Sequence, residues 1–326
     1  MITTHDDVPH PVPPIAYLRY KENWFFIIID VENSVYGMAH FNCEPGQDRA
    51  RVSCNLMVRG ELFKYGNQIP FPQNFAYSKT LGDDKLHVEF VEAHTRIDMH
   101  LNSADLKLDM SFLKHAPTFD YAAYDAANPD KPSAQEIINS ATNQMYHHQQ
   151  QALTIKGTLK MKAGKAKGET IKLKGLGYRD HSRGMRCDNM SLRHVWSFLY
   201  FPKTVFGAMA LTTVNRPTLT SSSGYVHDAA GTRSLGDMKI TNVGKGAGNM
   251  PSKVEFKLKD VYGKPYTVIA DIANRMGYVP LTVEAPNAGG FSYDIVENFA
   301  PVTLKETGEK GYALVEIGYT SKSSKK

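Results

Sequence analysis

Long apolar runs are scarce in this chain. The longest, WFFIII at 24–29, suits one buried strand and falls well short of the roughly 20 residues that a bilayer-spanning helix needs. Cysteine is scarcer still. Cys43, Cys54 and Cys187 are odd in number and none is spaced C-x-x-C, so neither a disulfide framework nor a thiolate zinc site is expected. Reduced core thiols in a cytoplasmic protein are the expectation. The opening MITTHDDVPHPVPPIAYLRY is acidic and proline-rich, with no charged segment leading into an apolar one, and does not read as a signal peptide. A strong charge excess is missing too: 38 Lys and Arg against 33 Asp and Glu leave a net +5, part of it in the tail SKSSKK. Without a dense basic face interleaved with aromatics, nucleic acid is not an expected partner.

Cofactor motifs are also lacking. VGKGAGNMP is glycine-rich but is not G-x-x-x-x-G-K-[ST], and the KVEFKLKD that follows alternates like a strand instead of opening a helix, so it reads as a turn. There is no G-x-S-x-G and no H-E-x-x-H. The expectation is a protein that needs no metal, nucleotide or redox cofactor.

What the chain does have is alternation. VYGMAHFNC puts Val35, Gly37, Ala39, Phe41 and Cys43 on one face and Tyr36, Met38, His40 and Asn42 on the other, and RVSCNLMV alternates likewise after the turn-rich EPGQDRA, which predicts a hairpin. KLHVEFVE, TRIDMHL and LKLDMSFL continue in the same manner. One helix is predicted at about 133–146, where SAQEIINSATNQMY opens with a Ser133–Glu136 capping box after Pro132. His147 and His148 are then read as its C-terminal end, where a cation suits the helix dipole. From Arg193 the strand pattern restarts with RHVWSFLYF. At 326 residues, with about eight or nine strands in each half, the chain predicts an all-β protein of two tandem antiparallel barrels, residues 1–168 and 169–326, with a short inserted helix.

Near the predicted boundary, GLGYRDHSRGMR at 175–186 gathers Asp180, His181 and three arginines. In an extended strand Tyr178, Asp180 and Ser182 face one way and Arg179, His181 and Arg183 the other, so Asp180 and His181 serve different faces. Two readings stay open. One is a structural knot in which an aspartate pairs with arginine and ties two barrels together; the other is a site between domains, where ligands often bind. HTRIDMH places His94, Arg96, Asp98 and His100 on one strand face, a pattern that is not diagnostic of a metal site. The 17 Tyr, 15 Phe and 2 Trp suit barrels that enclose an apolar ligand, although most aromatics in such a fold are core.

GLGYRDHSRGMR resembles the G-x-R-D-H-S-W-G-x-R signature of the carotenoid 1,2-hydratase-like superfamily (hydroxyneurosporene synthase and AttH-type proteins), of which the fungal kievitone hydratase looks like a relative. The polar HHQQQ before ALTIKG and the closing GYALVEIGY are similar to that family's corresponding segments. The resemblance implies two lipocalin-like barrels and addition of water to, or its removal from, a hydrophobic terpenoid or aromatic small molecule, without a redox cofactor. By position it carries over Gly177, Arg179, Asp180, His181, Ser182, Gly184 and Arg186. Arg183 departs from the family tryptophan; a guanidinium repels a carbocation that an aromatic face would stabilise, and suits an anionic group on the substrate. The expected catalytic residues are Asp180, His181, Tyr178 and His148, with Arg179, Arg183, Arg186 and Trp196 contacting substrate at the barrel junction. The rival expectation is a lipocalin-like carrier of a hydrophobic ligand, without catalysis.

Overall fold

The computed structural model describes residues 3–123, 133, 136, 139, 145–185, 191–213, 216–246, 250–284 and 291–322. The chain divides into two compact units, Met1–Asp120 with Met145–Arg186, and Tyr121–Gln144 with Cys187–Lys326. Both are built of antiparallel strands, as the alternation predicts.

The first unit holds β1 (Tyr20–Asp30), β2 (Val35–Glu44), β3 (Arg49–Val58), β4 (Glu61–Ile69), β5 (Thr80–Gly82), β6 (Leu86–Glu92), β7 (Arg96–Asn102), β8 (Leu106–Lys114), β9 (Phe119–Asp120), β10 (Met145–Met161) and β11 (Thr170–Met185). They form one sheet in the order β4-β3-β2-β1-β11-β10-β8-β7-β6-β5, with β9 beside β10. The predicted hairpin is β2–β3, and Val35, Ala39, Phe41 and Cys43 meet Val52, Cys54, Leu56 and Val58 in one buried cluster. Gly37 lies on the same face because the strands approach too closely for a side chain: a Cβ there would stand 2.2 Å from the Asn55 carbonyl oxygen. β1 lies centrally and is buried on both faces, Trp24, Phe26 and Ile28 toward this cluster and Ile27 and Ile29 away from it. That is why WFFIII is a continuous run and not an alternating one.

The second unit holds β12 (Ser191–Tyr200), β13 (Val205–Thr213), β14 (Arg216–Asp228), β15 (Gly231–Val243), β16 (Lys253–Asp260), β17 (Pro265–Asp271), β18 (Gly277–Glu284), β19 (Phe291–Leu304) and β20 (Glu309–Lys322). Here β17 pairs with β19 through Val268–Leu304, Ile269–Thr303 and Ala270–Val302, which closes eight strands into a barrel, and β18 joins β19 outside the ring.

Three expectations need correction. Only the second unit closes. Among the described residues no pairing joins β4 to β5, and the first sheet is a curled half-barrel. After β4 come Pro70 and Pro72, which lack the N–H a ladder needs, and Phe71 and Phe75 of this connection pack into the opening. The division between units follows Arg186 instead of residue 168, because β11 is locked into the first sheet between β1 and β10. Finally, His147 and His148 lie in β10, not at a helix end. Most of the predicted helix falls outside the described residues. Its cap does not: the Ser133 N–H donates to Glu136 Oε2 at 2.7 Å and the Glu136 N–H to Ser133 Oγ at 3.2 Å.

Candidate active site

β11 sorts its motif by pleat. Arg179 and His181 stand opposite Phe26 and Trp24 of β1, on the face of the first unit's core, while Tyr178 and Asp180 stand opposite Ile27 and Phe25, on the other face. The two-sided reading of the sequence holds, and the two sides differ in kind.

On the core face the motif clasps the N-terminal segment. Arg179 and Asp7, both fully buried, form an ion pair, and Asp7 Oδ2 also accepts the His94 N–H at 2.8 Å. Burial lowers Arg179 to about 10, which leaves it charged at neutral pH. Arg183 Nη2 reaches Asp6 at 3.3 Å. His181 is stacked on the Trp24 indole, with ring centroids 4.4 Å apart; its Nδ1 faces the Asp6 carbonyl oxygen at 3.1 Å and its Nε2 faces Glu22 Oε1 at 2.9 Å. Burial pulls His181 down to about 4 against the pull of Glu22. Glu22 is fully buried, yet its carboxyl lies below its ordinary range: His10 and His181 hydrogen bonds and charge outweigh the burial that would raise it. The arginine of the structural knot thus pairs with Asp7, not with the aspartate of its own motif, and the knot lies within the first unit.

The opposite face gathers a different set. His148 Nε2 and Asp180 Oδ2 share a very short hydrogen bond. Gln150 donates from Nε2 to the same Asp180 oxygen at 2.8 Å, and its Oε1 accepts a short hydrogen bond from the Tyr178 hydroxyl. Cross-strand register causes this: Gln150 of β10 stands directly opposite Asp180, and His148 two pairs farther along on the same face, opposite Ser182. Tyr178 and Gln150 are inaccessible, His148 is buried, and Asp180 keeps partial exposure, its side chain 13% accessible. Three of the four expected catalytic residues, Tyr178, His148 and Asp180, are therefore brought together. The fourth, His181, points the other way. Gln150 was missed because the segment that carries it was read as a helix end and not as a strand.

Of the expected substrate contacts, Arg179 and Arg183 are engaged by Asp7 and Asp6 on the core face, and Arg186 lies outside the described residues. Trp196 is buried in β12 of the second unit, opposite Glu316 of β20. Beside it in that unit His194 bridges the Tyr293 hydroxyl and Glu316. Glu297, fully buried and opposite Glu316, is held well above the usual carboxyl range by burial and then by that neighbouring carboxylate. The residues of HTRIDMH do not meet in one ligand set: His94 is in a turn and bonds Thr118 and the Thr3 carbonyl, Arg96 pairs with Asp98, and His100 bonds Asp109 and stands with His87 and Glu89 in a separate group.

The fold is shared with solved structures at low identity. CghA, solved with Sch210972, matches at TM-score 0.64 and 9% identity over 99% of this chain and 96% of its own. Kievitone hydratase from Nectria haematococca matches at 0.60 and 11%, covering 98% and 93%. A putative AttH from Nitrosomonas europaea matches at 0.61 and 12%, covering 91% and 92%. This is the architecture that the motif's resemblance implies. No curated protein sequence matches the chain. The model of the family described as "Domain of unknown function (DUF7064)" matches residues 3–320, and the chain belongs to that family.

Proposed function

We propose that the protein is a cofactor-independent lyase or isomerase of the hydratase or dehydratase type, acting on a hydrophobic terpenoid or aromatic small molecule through His148 and Asp180. The observation that carries this reading is the imidazole–carboxylate pair, its imidazole buried and its carboxylate partly accessible, aligned by Gln150 and Tyr178. Hydration of an alkene needs a proton delivered to one carbon and a base that takes a proton from the water attacking the other. A pair that shares one proton can give it to carbon and recover one from that water, so atoms and charge balance with no co-reactant. Gln150 fixes the carboxylate orientation, and its own amide orientation is fixed by Tyr178. The His148 ring nitrogen that faces Asp180 can both give and take a proton, which suits it to both halves of the cycle. The presence of a hydratase among proteins of this fold supports the reading.

The rival reading, a carrier, needs an apolar cavity but no acid–base pair. Incubation with terpenoid and prenylated aromatic alkenes in ¹⁸O-labelled water distinguishes them. An enzyme yields an alcohol bearing ¹⁸O and, from the alcohol, the alkene; Asp180→Asn abolishes both. Recovery of bound ligand unchanged, identically from the wild type and from Asp180→Asn, would support the carrier.

A further inference from the structure

The core-face clasp brings two imidazoles and a carboxylate within reach of one another. Glu22 Oε1 lies 2.7 Å from His10 Nδ1 and 2.9 Å from His181 Nε2, and each residue of the trio offers one donor atom within 4.8 Å of the others. His181 is the telling member. Its Nδ1 faces a backbone carbonyl oxygen, so that nitrogen carries a hydrogen and donates it. In a neutral ring Nε2 then bears a lone pair, and this lone pair faces a carboxylate oxygen. A proton on Nε2 fills that place as a hydrogen bond, and a metal ion fills it as well, with Nε2 and Oε1 both as ligands.

We propose that His10, Glu22 and His181 bind a divalent first-row transition metal, with His10 Nδ1, Glu22 Oε1 and His181 Nε2 as ligands. Two imidazoles and a carboxylate are a donor set suited to zinc and its neighbours. Ligand atoms on tetrahedral bonds of about 2.1 Å stand about 3.4 Å apart, so the trio, at 2.7 and 2.9 Å, would open by roughly half an ångström around the ion. Each ligand is also held from behind, as metal ligands are. His181 Nδ1 donates to the Asp6 carbonyl and its ring is stacked on Trp24. Glu22 Oε2 accepts the Tyr20 hydroxyl at 3.0 Å and the His10 N–H at 3.1 Å, which turns Oε1 toward the imidazoles. His10 Nε2 lies 3.8 Å from the Asp6 carboxylate. Charge agrees: Arg179 is matched by Asp7 and Arg183 by Asp6, which leaves the Glu22 carboxylate for the cation. His10 is 12% accessible, so the metal has a way in that Glu22 and His181 do not offer. The bound ion would tie the N-terminal segment to β1 and β11.

The test is zinc and cobalt(II) binding to the full chain after chelator dialysis, followed by calorimetry, by cobalt absorption in the visible, and by melting temperature. His10→Ala is the chosen variant because His10 lies at the surface end of the trio and its loss spares the core. His87→Ala is the control, since His87, Glu89 and His100 form a second, more exposed group on β6 and β7. The expected result is one site that raises the melting temperature, unchanged in His87→Ala. In His10→Ala it should be weakened by more than the roughly 10–100-fold that loss of an outer-shell partner brings. Absence of binding in the wild type, binding lost in His87→Ala, or binding unaltered in His10→Ala would each overturn the proposal.

Discussion

Arg179→Met is the sharpest probe of the clasp. Arg179 and Asp7 are both inaccessible to solvent, so removing the guanidinium strands a carboxylate in the core. Breaking one partner of such a pair costs about 3–5 kcal/mol, against a total stability of about 5–15 kcal/mol for a domain. In a unit of the first unit's size each kcal/mol lowers the melting temperature by about 2–4 °C, so a fall of roughly 6–20 °C is expected. Adding Asp7→Leu removes the stranded charge and should restore most of the loss. A residue of about 1 kcal/mol should persist, because the His94 N–H then loses its acceptor. Denaturant unfolding followed by tryptophan fluorescence reads all three proteins, since Trp24 stacks on His181 in the same clasp. A loss below about 1 kcal/mol for Arg179→Met, or a double variant no more stable than the single, would refute the reasoning.

Two further outcomes follow from buried groups. Glu297 is held protonated well above its ordinary value of 4.5 by burial and by Glu316, so its contribution to stability is complete below that value and lost as pH rises toward the folded-state value. Glu297→Gln, which mimics the protonated acid, should gain on the wild type steadily as pH rises above 4.5; parallel stability curves for the two would contradict this. The Cys54 thiol is pushed up to about 12 by burial, so alkylation at neutral pH should occur at the rate of unfolding and reach Cys54 promptly only in denaturant. Fast modification of native protein at Cys54, read by peptide mass, would show the site to be open.

The legible and illegible parts of the chain divide along physical lines. The β2–β3 hairpin was plain because one face of each strand is buried and the other is not, which writes a period of two into the residues. The split of GLGYRDHSRGMR into two faces followed from the same period. MYHHQQQ was misread because β10 carries buried polar side chains, among them Gln150 and Gln151, whose burial rests on hydrogen bonds and leaves no hydrophobic alternation. The place of β11 was hidden for another reason. Its membership of the first sheet depends on pairing with β1, far away in sequence, and local signals near 168 do not report it. The clasp is the extreme case. Glu22 and His181 are 159 residues apart, and nothing local to HPVP or YKEN marks His10 and Glu22 as partners.

In the proposed function the two faces of β11 do different work, Asp180 in chemistry and Arg179 in holding the fold. The measurement that tests it most directly is turnover per folded molecule, taken together with the unfolding midpoint, for Asp180→Asn and Arg179→Met side by side on the substrate that incorporates ¹⁸O. Asp180→Asn is expected to keep a midpoint close to that of the wild type and to lose about a hundredfold or more in turnover. Arg179→Met should lose stability while its remaining folded fraction turns over at nearly the wild-type rate. A sharply lowered midpoint for Asp180→Asn with full turnover per folded molecule would contradict the account.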